Sequence, residues 1–255
     1  MERWFLAAAT LFALVGGIQG MCAVHHGHRS RLTMAWMALC LICQFGFLWL
    51  RGEARGACPL ADGGEILAFM AWSLTLFYII VGPAYRISLL GVFTAPVVVV
   101  VQGIALIPGM LDVNPVRVTT TDAWKETHSA MSVLSYGALA LAAIAGVMFL
   151  VLDRQLKEHH LKSGLFRNLP PVRELLVSLV RLLWIGTMLL TIGIAAGLFT
   201  PRQPGYLAHL IAATVVWLGY AALLWVNSSR GLTGRRLSWL VVGLFISSLV
   251  VFALV

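Results

Sequence analysis

Eight long apolar segments constrain this chain more than any other feature of its sequence. They lie at roughly 4–23, 33–50, 65–82, 87–108, 128–152, 175–199, 206–226 and 237–255. An α-helix needs about 20 mostly apolar residues to cross the roughly 30 Å of bilayer hydrocarbon. None of the segments alternates polar and apolar residues as a barrel strand does. The sequence therefore predicts an all-α, polytopic membrane helix bundle with about eight transmembrane helices in a single domain, residues 1–255.

Composition excludes the soluble classes of function. Hydrophobic residues make up 60% of the chain and charged residues 11%, against about 45–50% and 25% in soluble domains. The net charge of +8 does not indicate nucleic acid, because the basic residues are scattered through short loops. The first segment follows Glu2 and Arg3 and lacks a small-residue cleavage site, so we expect a retained span and not a signal peptide.

Basic residues in the loops predict the orientation of the bundle. Loops after spans 1, 3, 5 and 7 contain Arg29, Arg31, Arg86, Arg154, Lys157, Lys162, Arg167, Arg173, Arg230, Arg235 and Arg236. The opposite side contains Arg3, Arg51, Arg55, Arg117, Lys125 and Arg202. The richer side is expected to face the cytoplasm, which places both termini outside a bacterial cytoplasmic (inner) membrane. In the longest cytoplasmic connection, 153–176, alternating leucines and charges predict a short interfacial helix that could dock a soluble partner; a solvated linker is the alternative.

The cysteines give no clear framework. Cys40 and Cys43 lie three residues apart within one apolar segment, where they are expected to pack as small apolar residues. A redox or metal role is the alternative for this pair. No histidine follows Cys43, so the motif for covalent attachment of c-type haem is absent.

Two of the seven histidines share one predicted location. His128 begins span 5 and His209 begins span 7, and the topology puts both at the outer surface. Two imidazoles from separate helices can ligate a haem iron from opposite sides, whereas zinc usually takes three or four protein ligands. Two independent interfacial histidines are the alternative. The others lie in predicted cytoplasmic loops, where they are either solvated or part of a metal or haem uptake site: His25, His26, His28, His159 and His160.

Slim side chains follow each of these two histidines on the same helix face. They leave room for a planar macrocycle, or else they serve ordinary close helix packing. The residues concerned are Ser132 and Ser135 after His128, and Ala212, Ala213 and Val216 after His209. Lys125 and Arg202 lie outward of the two spans, where they could pair with haem propionates.

Several stretches resemble the cytochrome c assembly superfamily of haem-handling membrane proteins, the CcsA/ResC, CcmC and HemX-like group. Residues 58–98 are similar to its P-L-x-x-x-x-E-x-L-x-F-x-x-W span and following helix, with Glu65 and Trp72 at patterned positions. Residues 124–157 resemble its W-x-x-x-H-x-x-x-S-x-x-x-Y helix, and 169–197 the next helix. The chain ends with a His-bearing helix and "GLTGRR", as in the HemX-like branch.

The resemblance implies a haem-binding membrane protein of cytochrome c biogenesis, without evident catalytic residues. His128 and His209 match the two external axial histidines and would hold haem b for transfer to a membrane-bound assembly partner. The external stretch 200–206, "TPRQPGY", lacks the tryptophan-rich loop of the full haem-presenting members, which implies that transfer needs that partner. Two other functions are the alternatives. One is a membrane haem-b, quinone-reactive redox subunit, against which the position of the other histidines in loops argues. The other is a small-solute transporter, against which the lack of evident repeats and mid-membrane charges argues.

Overall fold

The computed structural model describes residues 2–26, 31–84, 88–112, 114–118, 120–157, 172–200 and 206–254. Throughout these ranges the regular secondary structure is helical. The helices are α1 (Glu2–His25), α2 (Arg31–Arg55), α3 (Gly63–Ala84), α4 (Ser88–Ala105), α5 (Ala123–Lys157), α6 (Val172–Leu198), α7 (Tyr206–Arg230) and α8 (Gly234–Leu254). The predicted all-α polytopic bundle is confirmed.

Length and apolarity distinguish α4 from the other helices. Over the described residues, seven helices are long and apolar enough to cross a membrane, while the apolar part of α4, Leu90–Ala105, is shorter. The sequence predicts a fourth span over 87–108, but Pro108 disfavours helix in the residue before it and Gly109 takes a positive φ of 94°. The chain is thus a multi-pass membrane protein whose fourth apolar helix ends earlier than expected.

The helices pack as two groups of four. In the first group, α1 and α3 each contact both α2 and α4; in the second, α5 and α7 each contact both α6 and α8. Each group is therefore a ring in which helices of odd number lie diagonally opposite. Helix α5 joins the groups by packing against α3 and α4. One apolar cluster includes buried residues from all eight helices.

Small residues allow α5 to occupy the centre of the bundle. A Cβ on Gly137 would overlap the Ser73 side chain and come within 2.8 Å of the Leu74 backbone nitrogen. In this contact between α5 and α3, a small residue lets two spans approach closely. Cys40 lies in the main apolar cluster and Cys43 packs against it, so both serve as small packing residues.

The ends of α5 differ from the prediction. The helix starts at Ala123, five residues before the expected start at 128, because Asp122 caps it: the Asp122 carboxylate accepts a hydrogen bond of 3.0 Å from the Trp124 backbone N–H. At its other end, α5 continues to Lys157. The interfacial helix expected within 153–176 falls, between 158 and 171, outside the described residues.

Candidate functional site

His128 lies in the second turn of α5 and not at its mouth. Its side chain is buried, with 9% of its surface exposed. Its Nδ1 atom is 2.8 Å from the backbone carbonyl oxygen of Gly193 on α6. The ring is thus held by a contact between two helices, which an interfacial histidine exposed to water does not need.

The hydrogen bond to Gly193 fixes the tautomer of the His128 ring. A carbonyl oxygen can only accept, so Nδ1 carries the hydrogen and donates it. In the neutral imidazole, Nε2 then carries the lone pair. Histidines that ligate metals almost always donate their other ring N–H to a carbonyl, a carboxylate or water, which orients the ring and raises the basicity of the ligand. His128 has this arrangement.

Close packing of α5 and α6 makes the hydrogen bond possible. A Cβ on Gly193 would lie 2.8 Å from Ser132 Oγ and 3.2 Å from the Ser132 backbone nitrogen. Glycine at this position therefore brings its carbonyl within reach of His128. The same contact places α6 against the face of α5 at Ser132, so this side chain takes part in close helix packing.

His209 lies in the first turn of α7, which begins at Tyr206; its side chain is outside the described part of the structure. Helices α5 and α7 lie diagonally across the second ring, since each contacts α6 and α8. Helix α8 runs antiparallel to α5, since Tyr136 bonds to Ser248 and Gly146 lies against Ser238. It also runs antiparallel to α7, to which the short stretch 231–233 joins it, so the first turns of α5 and α7 are at the same end. The ring therefore puts both histidine positions at one end, on opposite sides.

An aromatic contact joins the start of α5 to the residue that follows the end of α6. The rings of Trp124 and Phe199 have centroids 4.9 Å apart, and both side chains are largely exposed. Lys125, the cation expected near a propionate, is exposed in the first turn of α5, whereas Arg202 lies outside the described residues. The aromatic pair is not among the contacts expected from the sequence, although an aromatic residue at each of the two helix ends is a signal for it.

The other histidines differ in their surroundings. His25 and His26 end α1 and are exposed, with ring centroids 5.8 Å apart. His28, His159 and His160 lie outside the described residues. No group of three or more histidine, cysteine or acidic side chains able to hold a metal ion occurs in the described ranges.

A buried network of ion pairs, which we call the ionic cluster, joins helix ends of the first ring. At its centre, Glu65 Oε1 is 2.5 Å from Arg51 Nε and 2.6 Å from Arg55 Nε. Arg51 also pairs with Glu2 at 2.7 Å, and both arginines pair with Asp62, Arg51 at 3.0 Å and Arg55 at 2.6 Å. The cluster thus ties the start of α1, the end of α2 and the start of α3, at the same end of the bundle as His128.

The ionic cluster is not among the contacts expected from the sequence. In the sequence, Arg51 and Arg55 are only topology signals, and Glu65, which is fully buried, has no expected contact. Two patterns could have revealed it. The arginines are one helical turn apart, and Asp62 with Glu65 forms a capping box, in which Glu65 Oε2 accepts a 3.3 Å bond from the Asp62 backbone N–H.

The ionic cluster makes the stability of the folded protein depend on pH. Burial alone would raise the pKa of Asp62, but hydrogen bonds from the Asp112 backbone, Arg55 and Arg51 outweigh burial and hold that pKa below its ordinary 3.8. A lowered pKa in the folded state stabilises the protein above the ordinary value, and this stability is lost as the pH falls through the folded value. We expect the Tm of the detergent-solubilised protein to drop below about pH 4. In Asp62→Asn the drop should be smaller; parallel curves for the two proteins would refute this.

Comparison with known proteins gives a consistent match. The profile of the family described as "Cytochrome C assembly protein" matches residues 62–255. This stretch covers more than half of the chain and includes α3 to α8, hence both His128 and His209.

Individual relatives extend the similarity toward the N-terminus. The chain is 27% identical over 234 residues to the cytochrome c biogenesis protein CcsA of Synechococcus sp. (strain CC9902), covering 81% of this chain and 76% of the relative. For CcsA of Synechococcus sp. (strain WH7803), identity is 25% over 274 residues, covering 92% and 86%. For CcsA of Nostoc punctiforme, identity is 29% over 146 residues, and the chain matches only 41% of that relative's length.

Proposed function

We propose, on the premise that this chain belongs to the cytochrome c assembly protein family, that it is a haem-binding membrane protein of cytochrome c biogenesis. It holds haem b between the imidazoles of His128 and His209 at the outer face of a bacterial cytoplasmic membrane. From there it passes the haem to a membrane-bound assembly partner. It acts by binding and transfer and not as an enzyme.

The observation that carries the proposal is the hydrogen bond from His128 Nδ1 to the Gly193 carbonyl oxygen, 2.8 Å long. It presets Nε2 as the ligating atom and fixes the plane of the ring. His26 makes a bond of the same length to the Cys22 carbonyl, but within its own helix and at the exposed end of α1. Only the His128 bond joins two packed helices around a buried ring, and this difference favours His128 as a ligand.

The arrangement of the second ring supports a pair of ligands. Axial coordination by two imidazoles requires the histidines to approach the iron from opposite sides. Helices α5 and α7 are diagonal in the ring, and ligand and cofactor sites in helix bundles are built from side chains on facing helices. The diagonal placement of α5 and α7 therefore supports a haem held between His128 and His209.

The residues around His128 supply the rest of such a site. When bound, haem would supply an iron, and the imidazoles of His128 and His209 would ligate it. Trp124 and Phe199 present an aromatic surface at the edge of the site, and aromatic side chains shield the group from water. Lys125, exposed in the same turn, can pair with a propionate at the membrane surface.

The relatives named above support the pathway, because each carries the description cytochrome c biogenesis protein. The stretch 200–206 contains no tryptophan. A protein without a tryptophan-rich external loop needs another subunit to present haem to an acceptor, so we assign the chain to the HemX-like branch and its presentation step to the partner.

A complementation experiment tests the role in the pathway. In a strain lacking the gene, haem staining of c-type cytochromes should fall, and wild-type protein should restore it. His128→Ala and His209→Ala should not restore it at equal membrane abundance. His26→Ala, which removes an exposed histidine with the same type of backbone contact, is the matched control and should restore staining fully. Full restoration by both site variants would exclude the proposal.

A further inference from the structure

A cavity of about 450 Å³ lies between α2 and α3, away from the two histidines. We call it the aromatic slot. Its walls are almost entirely carbon atoms, so it offers nothing to a ligand that needs polar partners inside. The residues around it are Phe45, Leu48, Trp49, Gly52, Glu53, Pro59, Phe69 and Trp72.

The aromatic slot opens toward lipid. Phe45 and Trp49, on the α2 side, are 53% and 64% exposed, although α2 is apolar enough to span a membrane. Phe69 and Trp72, with ring centroids 5.3 Å apart, form the α3 side. The slot lacks histidine, cysteine and methionine, so it has no usual axial ligand for a haem iron. Its chemistry fits a hydrocarbon chain.

The depth of the slot matches one leaflet. From residue 45 to residue 53, α2 rises by about 12 Å at 1.5 Å per residue. One leaflet contributes about 15 Å, half of the roughly 30 Å hydrocarbon core. The deep end at Phe45 thus lies within the leaflet, and the end at Glu53 and Pro59 lies near the membrane surface. A chain lying along the slot would run as an acyl chain of that leaflet does.

Two opposite charges stand at the surface end of the slot. Glu53 lines the slot and is exposed. Arg117 is also exposed, and its Nε lies 3.5 Å from where a Cβ on Gly56 would stand. Gly56 is bonded to slot residue Gly52 by a 2.8 Å backbone hydrogen bond. Glu53 therefore lies at the rim, and Arg117 lies one helical turn beyond slot residue Gly52. A headgroup with both an ammonium and a phosphate complements this pair of opposite charges.

We propose that the aromatic slot binds one acyl chain of a zwitterionic aminophospholipid, with its ammonium at Glu53 and its phosphate at Arg117. The acyl chain fills the gap between α2 and α3, on the side of the ionic cluster that faces the membrane centre. Bound lipid is then a structural part of the first ring. This site is independent of the haem site in the second ring.

Native mass spectrometry of the full chain tests the site. The protein is released from nanodiscs of phosphatidylethanolamine or phosphatidylglycerol with identical acyl chains. Gly52→Leu places a side chain in the slot, where its Cβ meets only ordinary contacts of 3.5 Å and 3.6 Å. Gly103→Leu is the matched control, because nothing lies within 4 Å of a Cβ there. Phe45→Ala, at an exposed wall, is a second variant that does not depend on how leucine fits.

The wild type and Gly103→Leu should retain one phosphatidylethanolamine, and Gly52→Leu and Phe45→Ala should lose it. Arg117→Gln and Glu53→Gln should each weaken retention of phosphatidylethanolamine. The proposal is overturned if no lipid is retained, if both slot variants retain it as the wild type does, or if phosphatidylglycerol is preferred. Retention of a quinone or of a protein segment in place of phospholipid would also overturn it.

Discussion

Replacing Glu65 by glutamine is expected to lower the free energy of unfolding by about 3 kcal/mol. The Glu65 carboxylate is fully buried and lies within 2.6 Å of both arginine Nε atoms. Removing its charge leaves Arg51 and Arg55 buried with fewer compensating anions, and uncompensated buried charge is costly. The change should also loosen the contacts among α1, α2 and α3. Titration with sodium dodecyl sulfate, followed by tryptophan fluorescence, measures the loss.

Glu174→Gln is the control for this prediction. Glu174 lies in the first turn of α6 and loses the same charge, but it is exposed and takes no part in the ionic cluster. Exposed substitutions usually change stability by less than about 0.5 kcal/mol. If Glu65→Gln were as stable as Glu174→Gln, the ionic cluster would not stabilise the fold.

Replacing His128 by alanine should reduce the haem bound per protein by more than tenfold. Removing even an outer partner of a metal ligand typically costs about 10–100-fold in affinity, and His128 is proposed as a ligand itself. The cavity left by the ring should admit free imidazole, which should restore part of the bound haem. The pyridine haemochrome assay on purified protein measures the ratio.

His26→Ala should keep its haem. It removes an exposed imidazole just after the C-terminal end of α1, whereas His128 lies near the start of α5. Unfolding of His128→Ala can be recognised by its elution in detergent and its helical circular dichroism. A folded His128→Ala protein with wild-type haem content would show that the hydrogen bond to Gly193 orients a structural histidine and not a ligand.

Much of the fold could be predicted because apolar length is a local property. The eight segments need no long-range information, whereas the contact of Gly137 with Ser73 depends on how α5 packs against α3. The shorter α4 shows the limit, because Pro108 and Gly109 end the helix inside an otherwise apolar stretch. The end of α4 is set by the backbone conformations of Pro108 and Gly109, and a hydropathy profile does not contain that information.

The site could be predicted only in part. The sequence suggested that His128 and His209 share an end of the bundle, since topology follows from counting spans. The bond to Gly193 joins residues 65 positions apart and depends on how α5 packs against α6. The ionic cluster likewise combines residues from separate helix ends. Contacts of this kind arise from tertiary packing. Spacing in the sequence can put Arg51 and Arg55 on one helix face, but it does not specify their partners on other helices.

The absorption spectrum of the reduced protein, purified after expression with ample haem, tests the central claim most directly. The wild type should show a low-spin spectrum of iron with two imidazole ligands. His128→Ala and His209→Ala should each weaken or abolish it, while His26→Ala should leave it intact. A colourless wild-type protein, or a low-spin spectrum that survives both substitutions, would contradict the assignment of these two histidines as the axial pair.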